Sequence, residues 1–128
     1  MAVNMDMKIL IVDDFQTMLK IVENLLRQLG FKNIDKALDG KSAFEMIKTN
    51  KYDLILSDWN MEPMNGLDLL KAVRAFEPTK TTPMILITAE SKVENIVAAK
   101  QAGVNNYVVK PFNAQTLKEK LVAVIGAF

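Results

Sequence analysis

Five short apolar runs alternate with five stretches of helical periodicity, and this alternation leaves few folds open to the chain. The run KILIV at 8–12 is rich in β-branched residues and stops at Asp13 and Asp14. Behind it Met18, Val22, Leu25 and Leu29, with Ile21 and Leu26 beside them, recur at three- and four-residue spacing, which predicts an amphipathic helix ended by Gly30 at its C′ position. A weaker strand is predicted over 31–38, with Ile34 and Ala37 inward, and Asp39-Gly40 then turns the chain into a short helix carrying Ala43, Phe44 and Ile47 on one face. The third run, Tyr52 with Leu54, Ile55 and Leu56, ends in Ser57 and Asp58 and opens a loop closed by the turn formers Pro63, Asn65 and Gly66. A helix from Gly66 onward bears Leu69, Leu70, Val73 and Phe76 and stops before Pro78. MILIT at 84–88 continues into a helix with Val93, Ile96 and Val97, ended by Gly103. Tyr107, Val108 and Val109 form the last strand, which ends in Lys110-Pro111, and Leu117, Leu121, Val124, Ile125 and Phe128 close the chain on an amphipathic helix.

Such alternation specifies an α/β fold, a doubly wound five-stranded parallel sheet with helices on both faces. The expected organisation is one domain over 1–128, with 1–7 a loose amino-terminal extension. In this fold the carboxyl ends of the strands lie along one edge, where open α/β sheets bind ligands. Those ends are Asp13-Asp14, Asp58, Thr88-Ala89 and Lys110-Pro111. Each has a plainer reading on its own. Asp58 can cap a turn or helix, Asp14 can be a helix N-cap with Asp13 an ordinary strand-end acid, Thr88 can cap the next helix, and Lys110 can be surface charge. The crevice reading gains its weight from four strand ends delivering polar groups to one edge.

Composition narrows the chemistry. The chain has no cysteine and no histidine, which removes disulfides, thiol nucleophiles and the usual Zn2+ ligands, so any metal must be held by oxygen. A net charge of +1 and a pI near 7.9 imply neither nucleic acid nor an anionic membrane as partner. The apolar run near the amino terminus is too short for a signal peptide, no stretch approaches the ~20 apolar residues of a membrane span, and a cytoplasmic location is the expectation.

Three carboxylates in one crevice repel one another, and Lys110 offsets only part of their charge. A hard divalent cation fits the remainder, and Mg2+ does so with a few oxygens while keeping water and a phosphate oxygen in its shell. Lys110, the Thr88 hydroxyl and the Ala89 amide can then bind phosphoryl oxygens, with Asp58 as the nucleophile that forms an aspartyl phosphate.

The stretches ILIVDDFQTM at 9–18, SDWNM at 57–61, ITAE at 87–90, AAKQAGVNNYVVKPF at 98–112 and LKEKL at 117–121 together resemble the receiver domains of two-component response regulators, in particular the single-domain chemotaxis branch. The resemblance covers essentially the whole chain and implies the strand order 2-1-3-4-5. It implies a histidine kinase as phosphoryl donor to Asp58, Mg2+ held by Asp14, Asp58 and the backbone carbonyl of Asn60 with Asp13 assisting through water, and a cis bond between Lys110 and Pro111. It further implies a switch in which Thr88 moves toward the phosphoryl group, Tyr107 turns inward, and the face of helix 4, strand 5 and helix 5 changes its affinity for the flagellar motor switch protein. Lys92 and Lys120 match that partner face, with solvated surface lysine as the alternative, and Asn60 and Glu90 match positions that tune self-dephosphorylation. A dedicated phosphatase and a monomeric state are also implied.

The match has departures. Glu62-Pro63 stands where a proline commonly follows the DWNM stretch directly, which puts an extra carboxylate beside the crevice, and Asn65 stands where an acid is common. Leu19, at an often basic site, and Val93 are expected on partner faces. With no output domain in the sequence, output is expected to come through binding. Two other functions fit the same residues: a phosphate sink or regulator of a non-motor partner, and a Mg2+-dependent small-molecule phosphatase. The phosphatase reading lacks an acid two residues after Asp58, where Asn60 stands, and lacks a cap domain.

Overall fold

The computed structural model describes residues 4–89 and 93–128. Five parallel strands, β1 (Ile9–Val12), β2 (Ile34–Ala37), β3 (Leu54–Asp58), β4 (Met84–Thr88) and β5 (Asn106–Val109), form one sheet in the order 2-1-3-4-5. Between and after them run α1 (Gln16–Gln28), α2 (Gly40–Thr49), α3 (Gly66–Ala75), a 3-10 turn at Glu77–Thr79, α4 (Val93–Gln101) and α5 (Ala114–Ile125). The fold class and strand order are those expected from the sequence.

The pleat of the central strands builds both layers of the core. Leu10, Val12, Ile55, Met84 and Leu86 face α2, α3 and α4, where Ala43, Ile47, Leu69, Leu70, Val73 and Ala99 meet them. Their neighbours Ile9, Ile11, Leu54, Leu56, Ile85 and Ile87 face the opposite way, onto Leu19, Val22 and Leu26 of α1 and Leu117 and Leu121 of α5. Strands buried on both faces read as unbroken apolar runs, which is why β1, β3 and β4 are so plain in the sequence. Each fully buried Leu or Ile contributes about 1.5–3 kcal/mol, enough for a chain without disulfides.

Helix rotation is where the structure departs from the sequence reading. Leu19 is buried against the sheet and is not on a partner face, while Ile21 on the same helix is exposed. In α4 the expected apolar face is also misplaced: Val93 is 73% and Val97 45% exposed, and Ala99, with Ala102 three residues on, makes the contact with the core. Of the two readings of Val93, its exposure agrees with a surface position and not with the core face of α4. Phe76 ends α3 as its C-cap and stacks edge-on with Phe44, the ring centroids 5.9 Å apart. Of the amino-terminal segment, Met5 and Met7 pack beside the α1 and α5 layer, and Asp6 pairs with Lys32 at 3.2 Å.

Main-chain hydrogen bonds extend the ladder beyond the strand ends and set what lies there. Asp13 N donates to Ala37 O at 3.2 Å, Trp59 N to Ile87 O at 2.8 Å and Lys110 N to Thr88 O at 2.8 Å. The residues that follow β1, β3 and β5 are thereby held in register along one edge of the sheet.

Candidate functional site

Asp13 follows β1 directly, and its side chain turns inward because Oδ1 accepts the amide of Phe15 at 3.0 Å. Phe15 is the N-cap residue of α1, with no side-chain cap of its own, so Asp14 does not cap that helix. Asp14 is exposed, whereas Asp13 is buried. Asp58 is the last residue of β3 and only 3% exposed. Carboxylate oxygens of Asp13, Asp14 and Asp58 all lie within 4.8 Å of one another.

Lys110 comes to this cluster from the end of β5. Its Nζ lies 2.7 Å from Asp58 Oδ1 and 3.9 Å from Asp13 Oδ2. The closer approach is an ion pair outside hydrogen-bond alignment, since the buried Asp58 Oδ1 has no hydrogen-bond partner among the described residues. A buried carboxylate oxygen without a hydrogen bond is costly unless something further completes its coordination. Three carboxylates against one ammonium leave negative charge in the crevice, and burial raises the pKa of Asp13 from 3.8 to about 6. The amide of Phe15 opposes this, Asp58 and Asp14 reinforce it through their charge, and Lys110 opposes it. The donor set is all oxygen and acidic, and it fits a hard divalent cation.

Of the remaining expected residues, Thr88, Ala89 and Asn60 lie at the same edge of the sheet. Thr88 ends β4, 6% exposed, one residue beyond Ile87, the register partner of Asp58. Ala89 follows it at the surface. Asn60 is exposed and lines a shallow depression with Asp14, Trp59, Glu62 and Asn65. Tyr107, half-buried in β5, belongs to a separate group: the Lys120 ammonium sits 4.9 Å from the centre of its ring, and Asn106 Nδ2 donates to Lys120 O at 3.1 Å. The peptide between Lys110 and Pro111 is cis, as the resemblance implied, and so is that between Glu62 and Pro63. Glu90 and Lys92 lie outside the described residues.

Two supports of Asp58 were not evident from the sequence as more than turn formers and strand residues. Ser57 Oγ donates to the Asp58 carbonyl at 3.0 Å. Gly66 opens α3 against the back of the same peptide; a Cβ there would collide with the Asp58 carbonyl oxygen and come within 2.9 Å of Trp59 Cα. Gly66 N donates to Trp59 O at 2.9 Å, which closes the loop. Asn65 caps α3 through a reciprocal pair, its Oδ1 accepting from Asp68 N at 2.8 Å and Asp68 Oδ2 accepting from Asn65 N at 3.3 Å. The glycine that follows an acid-bearing loop was the one available signal for this close approach.

No helix among the described residues is long and apolar enough to cross a membrane. Residues 9–122 match the family described as the response regulator receiver domain. The chain is similar to the chemotaxis protein CheY-3 of Vibrio cholerae, with 58% identity over 118 residues, 92% of this chain and 91% of that protein. It is similar to the chemotaxis protein CheY of Pseudomonas aeruginosa, with 56% identity over 115 residues, 90% of this chain and 93% of that protein. Among solved structures, the receiver domain of a sensor histidine kinase from Pseudomonas aeruginosa, with a magnesium ion coordinated in its active-site cleft, superposes with a TM-score of 0.85 at 30% identity, covering 95% of this chain and 99% of that one. With its sheet order, its acidic cluster and a match that runs from β1 into α5, the chain belongs to the response regulator receiver domain family.

Proposed function

We propose that the protein is a cytoplasmic chemotaxis response regulator that accepts a phosphoryl group from a histidine kinase on Asp58. The observation that carries this reading is the juxtaposition at one sheet edge of three carboxylates within 4.8 Å and an ammonium 2.7 Å from Asp58 Oδ1. Similarity of 56–58% to proteins named for chemotaxis supports the signalling context. In the transfer, an Asp58 carboxylate oxygen forms a bond to phosphorus as the phosphorus–nitrogen bond of the donor phosphohistidine breaks, and the imidazole leaves neutral with the electron pair of that bond, keeping the proton already on its other ring nitrogen. Lys110 exchanges its pairing with Asp58 for a phosphoryl oxygen, while the Thr88 hydroxyl and the Ala89 amide take others. Asp14, Asp58 and the Asn60 carbonyl would hold Mg2+, with Asp13 acting through water; when bound, the cation neutralises charge on the phosphoryl oxygens.

Output follows from the second group of residues. Thr88 drawn toward the phosphoryl oxygens vacates space beside β4, Tyr107 turns inward, and the surface of α4, β5 and α5, with Lys92 and Lys120, gains affinity for the flagellar motor switch protein. Such coupling requires that phosphate and partner both favour the same arrangement of Tyr107. Asn60 and Glu90 set how quickly water removes the phosphoryl group, alone or with a dedicated phosphatase.

Incubation with a labelled phosphohistidine kinase tests the reading. The wild type should acquire hydroxylamine-labile phosphate in the presence of Mg2+, and Asp58→Ala should acquire none. Label of undiminished amount on Asp58→Ala would remove Asp58 as the acceptor.

A further inference from the structure

The acidic cluster opens onto a depression in which one carboxylate, that of Glu62, has no part in the phosphoryl chemistry. It runs from Asp14 across Trp59 and Asn60 to Glu62 and Asn65; two of the lining residues are carboxylates and none is basic. Asp14 and Glu62 are both exposed, and neither makes a hydrogen bond or ion pair among the described residues. The nearby cation does not reach them: Lys110 is engaged by Asp58 and Asp13. Of the two asparagines that line the depression, Asn65 is occupied in capping α3. Glu62 therefore has no partner among the described residues, yet its charge shares one open depression with Asp14 of the acidic cluster.

Resting on the reading of Asp13, Asp14 and Asp58 as a Mg2+ site, we propose that Glu62 raises the affinity of that site for the cation by acting on it through solvent. Its carboxylate is a positioning charge and contributes field to a cation whose direct ligands lie across the depression. Interaction through water over the width of one small depression is within the screening length of about 30 Å at 0.01 M salt, and is largely lost at 1 M, where that length is about 3 Å. The effect is therefore a salt-dependent one. Removal of the charge should weaken Mg2+ binding about three- to fivefold at low ionic strength and less than about twofold at high ionic strength.

The test is a titration of Mg2+ alone into the wild type, Glu62→Gln and Glu62→Asp at 0.01 M and 1 M background salt. Two readouts are used, Trp59 emission and the Mg2+-dependent rise in melting temperature. The expected result is a loss in Glu62→Gln that shrinks with salt, and near-normal binding in Glu62→Asp, which keeps the charge. Binding by Glu62→Gln equal to the wild type at low salt overturns the proposal. So does a loss of the same size at both salt concentrations, which marks a rearranged loop in place of a field. If the wild type itself binds no Mg2+ by either readout, the metal reading of the acidic cluster fails first and takes this proposal with it.

Discussion

Asp13→Asn should make the protein more stable at neutral pH while damaging its function. Asp13 is 5% exposed, and burial, with help from the charges of Asp58 and Asp14, raises its pKa from 3.8 to about 6. A carboxyl group that holds its proton more tightly in the folded chain than in the unfolded one stabilises the fold while protonated. That contribution is complete below about pH 3.8 and is lost as pH rises to about 6, so above that pH the ionised group leaves the fold weaker by the whole amount. A difference of about two pK units at about 1.4 kcal/mol each sets the loss near 3 kcal/mol. Asparagine removes the charge but keeps the oxygen that accepts the Phe15 amide. Urea unfolding in EDTA at pH 7.5 should show Asp13→Asn about 1–3 kcal/mol more stable than the wild type, and at pH 4 the two should nearly coincide. Saturating Mg2+ should erase the advantage at pH 7.5, because the cation stabilises only the wild-type carboxylate fully. A variant no more stable than the wild type at pH 7.5, or a gain of equal size at pH 4, would refute the argument that unbalanced negative charge is stored in the folded crevice.

Three further outcomes follow from particular contacts. The same raised Asp13 pKa makes proton and cation competitors, so the apparent Mg2+ affinity read from Trp59 should climb between pH 5 and 7; a flat profile would leave Asp13 with no part in cation binding. Gly66→Ala should cost about 2–3 kcal/mol and alter Trp59 emission, since the new methyl meets backbone that cannot retreat; wild-type stability in urea would show that the loop at Asp58 yields freely. Tyr52→Phe should cost about 1 kcal/mol by chemical denaturation, through loss of the 2.7 Å bond from its hydroxyl to Asp35, and an unchanged midpoint would mean that the β2 edge gains nothing from it.

The sequence was most informative where burial on two faces makes a strand a continuous apolar run. Such runs have sharp ends, and the polar residues at those ends, Asp13, Asp58, Thr88 and Lys110, could be placed on one sheet edge before any coordinates. Helix rotation was less legible. Leu19 and Ile21 are both apolar and two residues apart, and periodicity alone does not say which the sheet will cover; Leu19 is inside and Ile21 outside because of the rotation at which α1 packs on the sheet beside α5. The same holds for α4, where alanines, which carry little hydrophobic signal, make the contact and the valines do not. Close approaches were legible only as residue types: Gly66 reads as a turn former, and its proximity to the Asp58 carbonyl depends on how α3 meets β3. The pairing of Lys120 with Tyr107 joins two separate elements, and each residue could be named from the sequence but their contact could not.

The central claim is that occupancy at Asp58 changes affinity at the face of α4, β5 and α5. The most direct measurement is a titration of an amino-terminal peptide of the flagellar motor switch protein against the wild type, with Mg2+ alone and with Mg2+ plus beryllofluoride as the phosphoryl mimic. Trp59, the only tryptophan, follows Asp58 directly and reports occupancy of the site in the same sample. The expected result is a shift in Trp59 emission on adding the mimic, together with a gain in peptide affinity that Asp58→Ala abolishes. Occupancy of the site with no change in peptide affinity would contradict a motor-directed switch and leave a receiver that acts as a phosphate sink or on another partner.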